Sequence, residues 1–116
     1  MKRLLLVFAI VATNAQSHGM YPTGVLKEEY PLTSFHPVKF GISNQYDDRM
    51  CYEISINDKI MVPYTTCLNG GERKDLTVYV ESKPNTWSVN QVCTLSPVIG
   101  TSRTRLCLTS QTYFYR

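Results

Sequence analysis

The chain has 116 residues, 43% of them hydrophobic and 11% aromatic, with twelve Lys and Arg against nine Asp and Glu. That length suits one domain rather than two. The net charge of +3 owes most of its excess to Lys2 and Arg3, which excludes the strongly basic surface expected of a nucleic-acid binder.

Lys2 and Arg3 form a basic start, Leu4 to Ala12 an uncharged apolar run, and Thr13-Asn14-Ala15-Gln16-Ser17 a stretch of small residues. This is the order of a secretory signal peptide, with cleavage expected after Ala15 or after Ser17. Residues 1–15 are read as signal peptide and 16–116 as a single domain. The apolar run is too short for a permanent anchor, and no comparable run follows it. The expectation is a periplasmic or secreted protein with no integral membrane segment once the signal is gone.

After the signal, helical periodicity gives way to short alternating runs separated by turn residues, the pattern of an all-β chain. His18 to Pro22 reads as a flexible or extended lead-in, and Val25 and Leu26 as the start of a first strand. Pro31 and Pro37 bracket an irregular stretch. Val38, Phe40 and Ile42 alternate through a strand over 38–43, and the Asp-rich segment from Ser43 to Arg49 is a turn. Met50 to Ile56 is the next strand. A three-residue loop at Asn57-Asp58-Lys59 would pair Ile56 with Ile60, Ile54 with Val62 and Tyr52 with Tyr64, placing three apolar pairs on one face. Asn69-Gly70-Gly71-Glu72 is a turn, followed by a strand through Leu76, Val78 and Val80. Lys83-Pro84-Asn85 ends it. Trp87 leads into a strand carrying Cys93 and Leu95, and Pro97 to Ser102 loops around Gly100. Leu106, Leu108, Tyr113 and Tyr115 lie on the last strand or strands. About seven strands in one domain predict an immunoglobulin-like β-sandwich, with a small Greek-key barrel as the alternative.

Cys51, Cys67, Cys93 and Cys107 all follow the signal, and an even count in a small exported chain implies two disulfides. Their spacing offers no close C-x2-C pair of the kind zinc sites use. Four cysteines allow three pairings, and hairpin geometry favours one. Cys93 and Cys107 are equidistant from Gly100, so a hairpin centred there sets them opposite each other. Cys51 faces Thr65 in the register above, and a small bulge near Pro63 brings Cys67 within reach.

Little in the sequence points to catalysis. The two histidines precede the first well-patterned strand, so a nucleophile has no positioned base. Adjacent carboxylates, Glu28-Glu29 and Asp47-Asp48, point to opposite faces of an extended chain and make no acid–base pair. Cleavage after Ser17 would place His18 at the N-terminus, where amine and ring can chelate copper, with His36 as the available second ring. The ordinary reading of both histidines is non-ligating, and no cofactor is expected. After Glu81 the charges are all basic. Arg103 and Arg105 share one face of a strand, as do Tyr113 and Tyr115. Leu106 and Leu108 would fill the core behind Arg103 and Arg105. Arg103, Arg105, Tyr113 and Tyr115 are the candidate partner-binding set, since Arg and Tyr are enriched at protein interfaces.

Three segments carry a family resemblance. They are Val38-Lys39-Phe40-Gly41-Ile42-Ser43-Asn44, Cys51-Tyr52-Glu53-Ile54-Ser55-Ile56, and Gly71-Glu72-Arg73-Lys74-Asp75-Leu76-Thr77-Val78-Tyr79-Val80. An apolar strand ending in Asn, a second alternating strand and a late Gly-led strand resemble the N-terminal immunoglobulin-like domain of periplasmic pilus chaperones. The family's second domain and its subunit-anchoring basic residues have no counterpart here, so chaperone activity does not follow from the likeness. The ending Tyr113-Phe114-Tyr115-Arg116 is also similar to the aromatic last strand of pilus subunits. The expectation is an exported, non-enzymatic module that binds another protein of the bacterial envelope, as an accessory of a pilus, secretion or conjugation assembly. The alternative is a small inhibitor or immunity protein that plugs a partner enzyme with the Asn69-Gly70-Gly71 or Pro97 to Ser102 loop.

Overall fold

The computed structural model describes residues 18–116 except positions 30 and 32; the expected signal peptide lies outside the described residues. In chain order the strands are β1 His18–Pro22, β2 Lys27–Glu28, β3 Phe35–Asn44, β4 Met50–Ile56, β5 Lys59–Ile60, β6 Thr66–Leu68, β7 Arg73–Glu81, β8 Trp87–Leu95 and β9 Arg105–Tyr113. One sheet has the order β1-β3-β7. The other runs β2-β9-β8-β4-β5, with β6 also paired to β4. Pairing is antiparallel throughout except between β2 and β9.

Alternation decides which side chains go inside. Val38 and Phe40 of β3 and Val78 and Val80 of β7 project from one sheet onto Ile54 of β4 and Val92 of β8. Each such fully buried side chain contributes about 1.5–3 kcal/mol. At one end, Ile42, Tyr52 and Leu68 form a second cluster. Two hydrogen-bonded sheets packed through these residues make an immunoglobulin-like sandwich rather than a closed barrel.

The structure corrects three expectations. His18 to Pro22 is a paired strand, with His18 opposite Asn44 and Pro22 opposite Phe40. Its sequence shows no apolar alternation, yet Met20 packs on the core and His18 is buried. Strand β3 starts at Phe35 and runs through Pro37. Thr23 N donates to Lys39 O, so odd positions of β3 turn their backbone groups toward β1. By Pro37, β1 has ended, and the missing proline N–H leaves no bond unmade.

The third correction is the β4–β5 register. Ile56 faces Lys59 and Ser55 faces Ile60, not Ile56 with Ile60. Asn57 and Asp58 both take positive φ, 51° and 69°, which makes a two-residue hairpin turn where three residues were expected. A 3-10 turn over Val62–Tyr64, with Pro63 in its first turn, then takes up residues before β6. Cys67 thereby comes to lie opposite Cys51.

Candidate protein-binding edges

Both disulfides join directly opposed residues. Cys51–Cys67 ties β4 to β6, and Cys93–Cys107 ties β8 to β9; no free cysteine occurs among the described residues. The second bond fixes the base of the hairpin that carries the 97–102 loop, where Gly100 takes a φ of 66°. That loop exposes Val98 and Ile99 at its tip.

Strand β9 is an edge for most of its length. Ser96 N donates to Thr104 O, and Gln111 N donates to Leu26 O. With a period of two, even positions of β9 bond to β8 and odd positions face away from it. Strand β2 covers that outer side only opposite Gln111 and Thr112. The backbone groups of Arg105, Cys107 and Thr109 are left open. On the inner face Leu106 and Leu108 are half-buried, not the sealed core positions expected of them, because no strand is hydrogen-bonded to β9 on this side.

Arg103 precedes β9 and Arg105 opens it. Both are exposed and both are engaged. Arg103 Nη2 lies 2.7 Å from Glu53 Oε1, and its Nε donates to Ser96 O at 2.8 Å. Arg105 Nη2 lies 2.7 Å from Asp58 Oδ1 and 3.1 Å from Gln91 Oε1. The charge imbalance along the sequence thus becomes pairing across the sheet for Arg103 and Arg105, two of the four basic residues after Glu81. Exposed pairs of this kind contribute about 0–1 kcal/mol.

At the other end of β9, Tyr113 lies 4.5 Å from the Tyr115 ring and 5.5 Å from that of Trp87. Lys27 Nζ sits 5.3 Å above Trp87. Arg105 and Tyr113 share the outer face of β9 but are eight residues apart, roughly 26 Å. The four candidate residues therefore form two ends of one edge, not one patch. Trp87, Val89 and Lys27 extend the aromatic end, and Trp87 and Val89 are exposed. From sequence Trp87 leads into this strand with no face assigned; the alternation of Trp87, Val89 and Gln91 was the available signal.

The histidines do not come together. His18 is buried, with Nε2 2.8 Å from Thr94 Oγ1 and its ring 4.8 Å from that of Tyr52. Burial lowers its pKa below the usual 6.5, partly offset by a hydrogen bond with Thr94. His36 lies on β3 eight residues from Asn44, the partner of His18, which separates the two by roughly 26 Å. The fold thus does not bring the two rings together. His18 lies on β1 and His36 on β3. Among the described residues no three His, Cys, Asp or Glu side chains gather as a metal site, and no helix is long and apolar enough to cross a membrane.

A polar knot holds the end of the sandwich near β6. Asn44 Nδ2 donates to the carbonyls of Asp48, Leu68 and Asn69 at 2.8, 3.1 and 3.1 Å. Its Oδ1 accepts from Tyr46 N at 3.0 Å and from the Tyr52 hydroxyl at 2.8 Å. Burial, with a smaller contribution from Tyr46, pushes the Tyr52 phenol up to about 12.

Two sheets in this order, with a parallel β2 leading into the β9 edge, define an immunoglobulin-like β-sandwich domain. The structure is similar to the Escherichia coli chaperone DraB, with a TM-score of 0.57, 12% identity, and coverage of 84% of this chain and 56% of that one. It is also similar to a structure of the Salmonella enterica SafA pilin in complex with the SafB chaperone, with a TM-score of 0.54, 14% identity, and coverage of 90% and 56%. The chain thus spans little more than half the length of the solved chains it resembles. No protein-family model and no curated protein sequence matches it.

Proposed function

We propose that this chain is an exported, non-enzymatic protein-binding module of the bacterial envelope that receives a partner strand along the open edge of β9. One observation carries this reading: from Arg105 to Ser110 the outer edge of β9 has no hydrogen-bonded partner strand, above half-covered Leu106 and Leu108. An added strand would bond to Arg105, Cys107 and Thr109 and cover both leucines, which is β-augmentation. Arg103 and Arg105 at one end, and Tyr113, Tyr115 and Trp87 at the other, would then contact the partner's side chains. The fold shared with proteins of pilus chaperone systems supports a setting in a pilus, secretion or conjugation assembly, in the periplasm or outside the cell.

The test compares partner recovery from envelope extracts by wild type and two variants. Thr109→Pro removes an outward N–H without touching the β8 ladder, and a paired Arg103→Glu, Arg105→Glu variant inverts the basic end. Loss of the partner with both variants, at unchanged thermal stability, supports the edge. Undiminished recovery by Thr109→Pro contradicts it. A second reading, a plug for an enzyme cleft, is favoured by the apolar tip of the 97–102 loop. Val98 is 63% and Ile99 46% exposed, above a hairpin stapled by Cys93–Cys107. Loss of binding in Val98→Ser, Ile99→Ser but not in Thr109→Pro would favour that reading.

A further inference from the structure

The two disulfides stand in different surroundings. Across β8 and β9 the outer-face rows run Leu95–Arg105, Cys93–Cys107, Gln91–Thr109. Arg105 starts in the first row, yet its Nη2 reaches Gln91 Oε1 in the third, and Asp58 Oδ1 on the turn after β4. Its side chain therefore crosses the row between, over the Cys93–Cys107 bond. On the near flank Arg103 reaches across to Glu53. Under these two straps Cys93 is fully buried, and Ser55, its neighbour on β4, is buried as well, although both occupy outer-face positions of the sheet.

Cys51–Cys67 is uncovered. Cys51 is exposed and Cys67 half-buried. Pairing between β4 and β8 stops at Glu53, so β8 does not flank Cys51, and β6 on its other side is three residues long. In the adjoining row Arg49 Nη1 donates to Asn69 Oδ1 at 3.1 Å. Each of these residues is two positions from a cysteine and so shares its face. The Arg49 guanidinium favours a thiolate nearby, both the one that attacks and the one that leaves. Glu53, the carboxylate on that face, is held by Arg103 at 2.7 Å, which damps its repulsion of an incoming thiolate. Thiol–disulfide exchange needs access to sulfur. Arg105 is a cation too, but it lies between solvent and the Cys93–Cys107 bond.

We propose that Cys51–Cys67 is a thiol-exchange site that takes a dithiol as its substrate, while Arg105 shields Cys93–Cys107 as the permanent staple. A thiolate of the dithiol attacks Sγ of Cys51, the more exposed residue. The S–S bond breaks and its electron pair leaves on Cys67 Sγ, which takes up a proton. The second sulfur of the dithiol then displaces Cys51 from the mixed disulfide. The dithiol is oxidised to a disulfide, and its two protons end on Cys51 and Cys67. The test treats the folded protein with dithiothreitol, quenches with iodoacetamide at intervals and maps the labelled peptides by mass. Cys51 and Cys67 should be alkylated at least about tenfold faster than Cys93 and Cys107. Reduced glutathione, a monothiol, should be trapped on Cys51. Arg105→Ala should speed labelling of Cys93 and Cys107 by at least about threefold, with the rate at Cys51 and Cys67 unchanged. Asp58→Ala, which unties the strap but keeps Arg105, should act in the same direction to a smaller extent. Both variants are first checked for unchanged thermal unfolding. Bonds that open together or not at all, glutathione found on Cys67, or variants in which Cys93 and Cys107 stay as slow as in wild type overturn the proposal.

Discussion

Replacing Asn44 with Ala should destabilise the fold far more than its single side chain suggests. The side chain makes five hydrogen bonds, to Tyr46, Asp48, Tyr52, Leu68 and Asn69. Asp48 and Asn69 are exposed, so water can replace those two bonds, at about 0.5 kcal/mol each. Leu68 is fully buried, and loss of a donor to its carbonyl costs about 1–2 kcal/mol. The Tyr46 N–H and Tyr52 hydroxyl each lose a well-placed acceptor, about 1 kcal/mol apiece. The total is about 4 kcal/mol. Tyr52→Phe should cost only about 1 kcal/mol, because Asn44 Oδ1 keeps the Tyr46 N–H. Asn44→Asp retains both acceptor contacts but sets a buried carboxylate against three carbonyl oxygens, so it should be at least as damaging as Ala. Urea unfolding at constant slope reads these differences. For a domain of this size about 4 kcal/mol corresponds to a fall in Tm of roughly 16–30 °C. An Asn44→Ala variant within 1 kcal/mol of wild type would refute the reasoning, as would a Tyr52→Phe variant costing more than Asn44→Ala.

Four further outcomes are expected. Replacing either disulfide pair with alanine should cost about 3 kcal/mol, the loop-closure value for separations of 16 and 14 residues. Peptide mapping of the unreduced protein should return only Cys51–Cys67 and Cys93–Cys107. Because burial holds the His18 pKa below 6.5, the unfolded chain takes up the proton first. Stability should be steady above about pH 6.5 and fall as pH drops below it, and a His18→Gln variant should lose that part of the slope in urea titrations. Gly41→Ala should cost about 1–3 kcal/mol through overpacking, since a Cβ there would collide with the Tyr21 ring. The penalty should vanish in a Tyr21→Ala background, and a penalty that persists would rule out Tyr21 as the cause.

The long strands were legible because their alternation is strong. Val38, Phe40 and Ile42, and again Leu76, Val78 and Val80, announce both period and buried face. The mirror placement of Cys93 and Cys107 about Gly100 made their pairing readable from spacing. Elsewhere the determinants are not local. His18 to Pro22 becomes a strand because β3 offers it a partner and Thr94, 76 residues away, meets the buried His18 ring. The two-residue turn at Asn57-Asp58 depends on positive φ at two non-glycine residues, and without glycine there the longer loop was the natural reading. Arg103 and Arg105 looked like a free basic face because Glu53 and Asp58 lie about 50 positions upstream in sequence. Pairing across three strands brought those carboxylates alongside. The strand ending in Asn44 could be seen, but its role as a five-bond knot needed the turns at 46–48 and 68–69 to be placed.

The claim at the centre of this account is that β9 accepts a partner strand. Residue-resolved amide exchange on the protein, alone and bound to the partner recovered from the envelope, tests it most directly. In the free protein the amides of Arg105, Cys107 and Thr109 should exchange rapidly, whereas those of Leu106 and Leu108, bonded to β8, should be protected. Binding should protect Arg105, Cys107 and Thr109 and leave the two leucines as they were. A bound complex in which those three amides still exchange at the free rate would contradict the account.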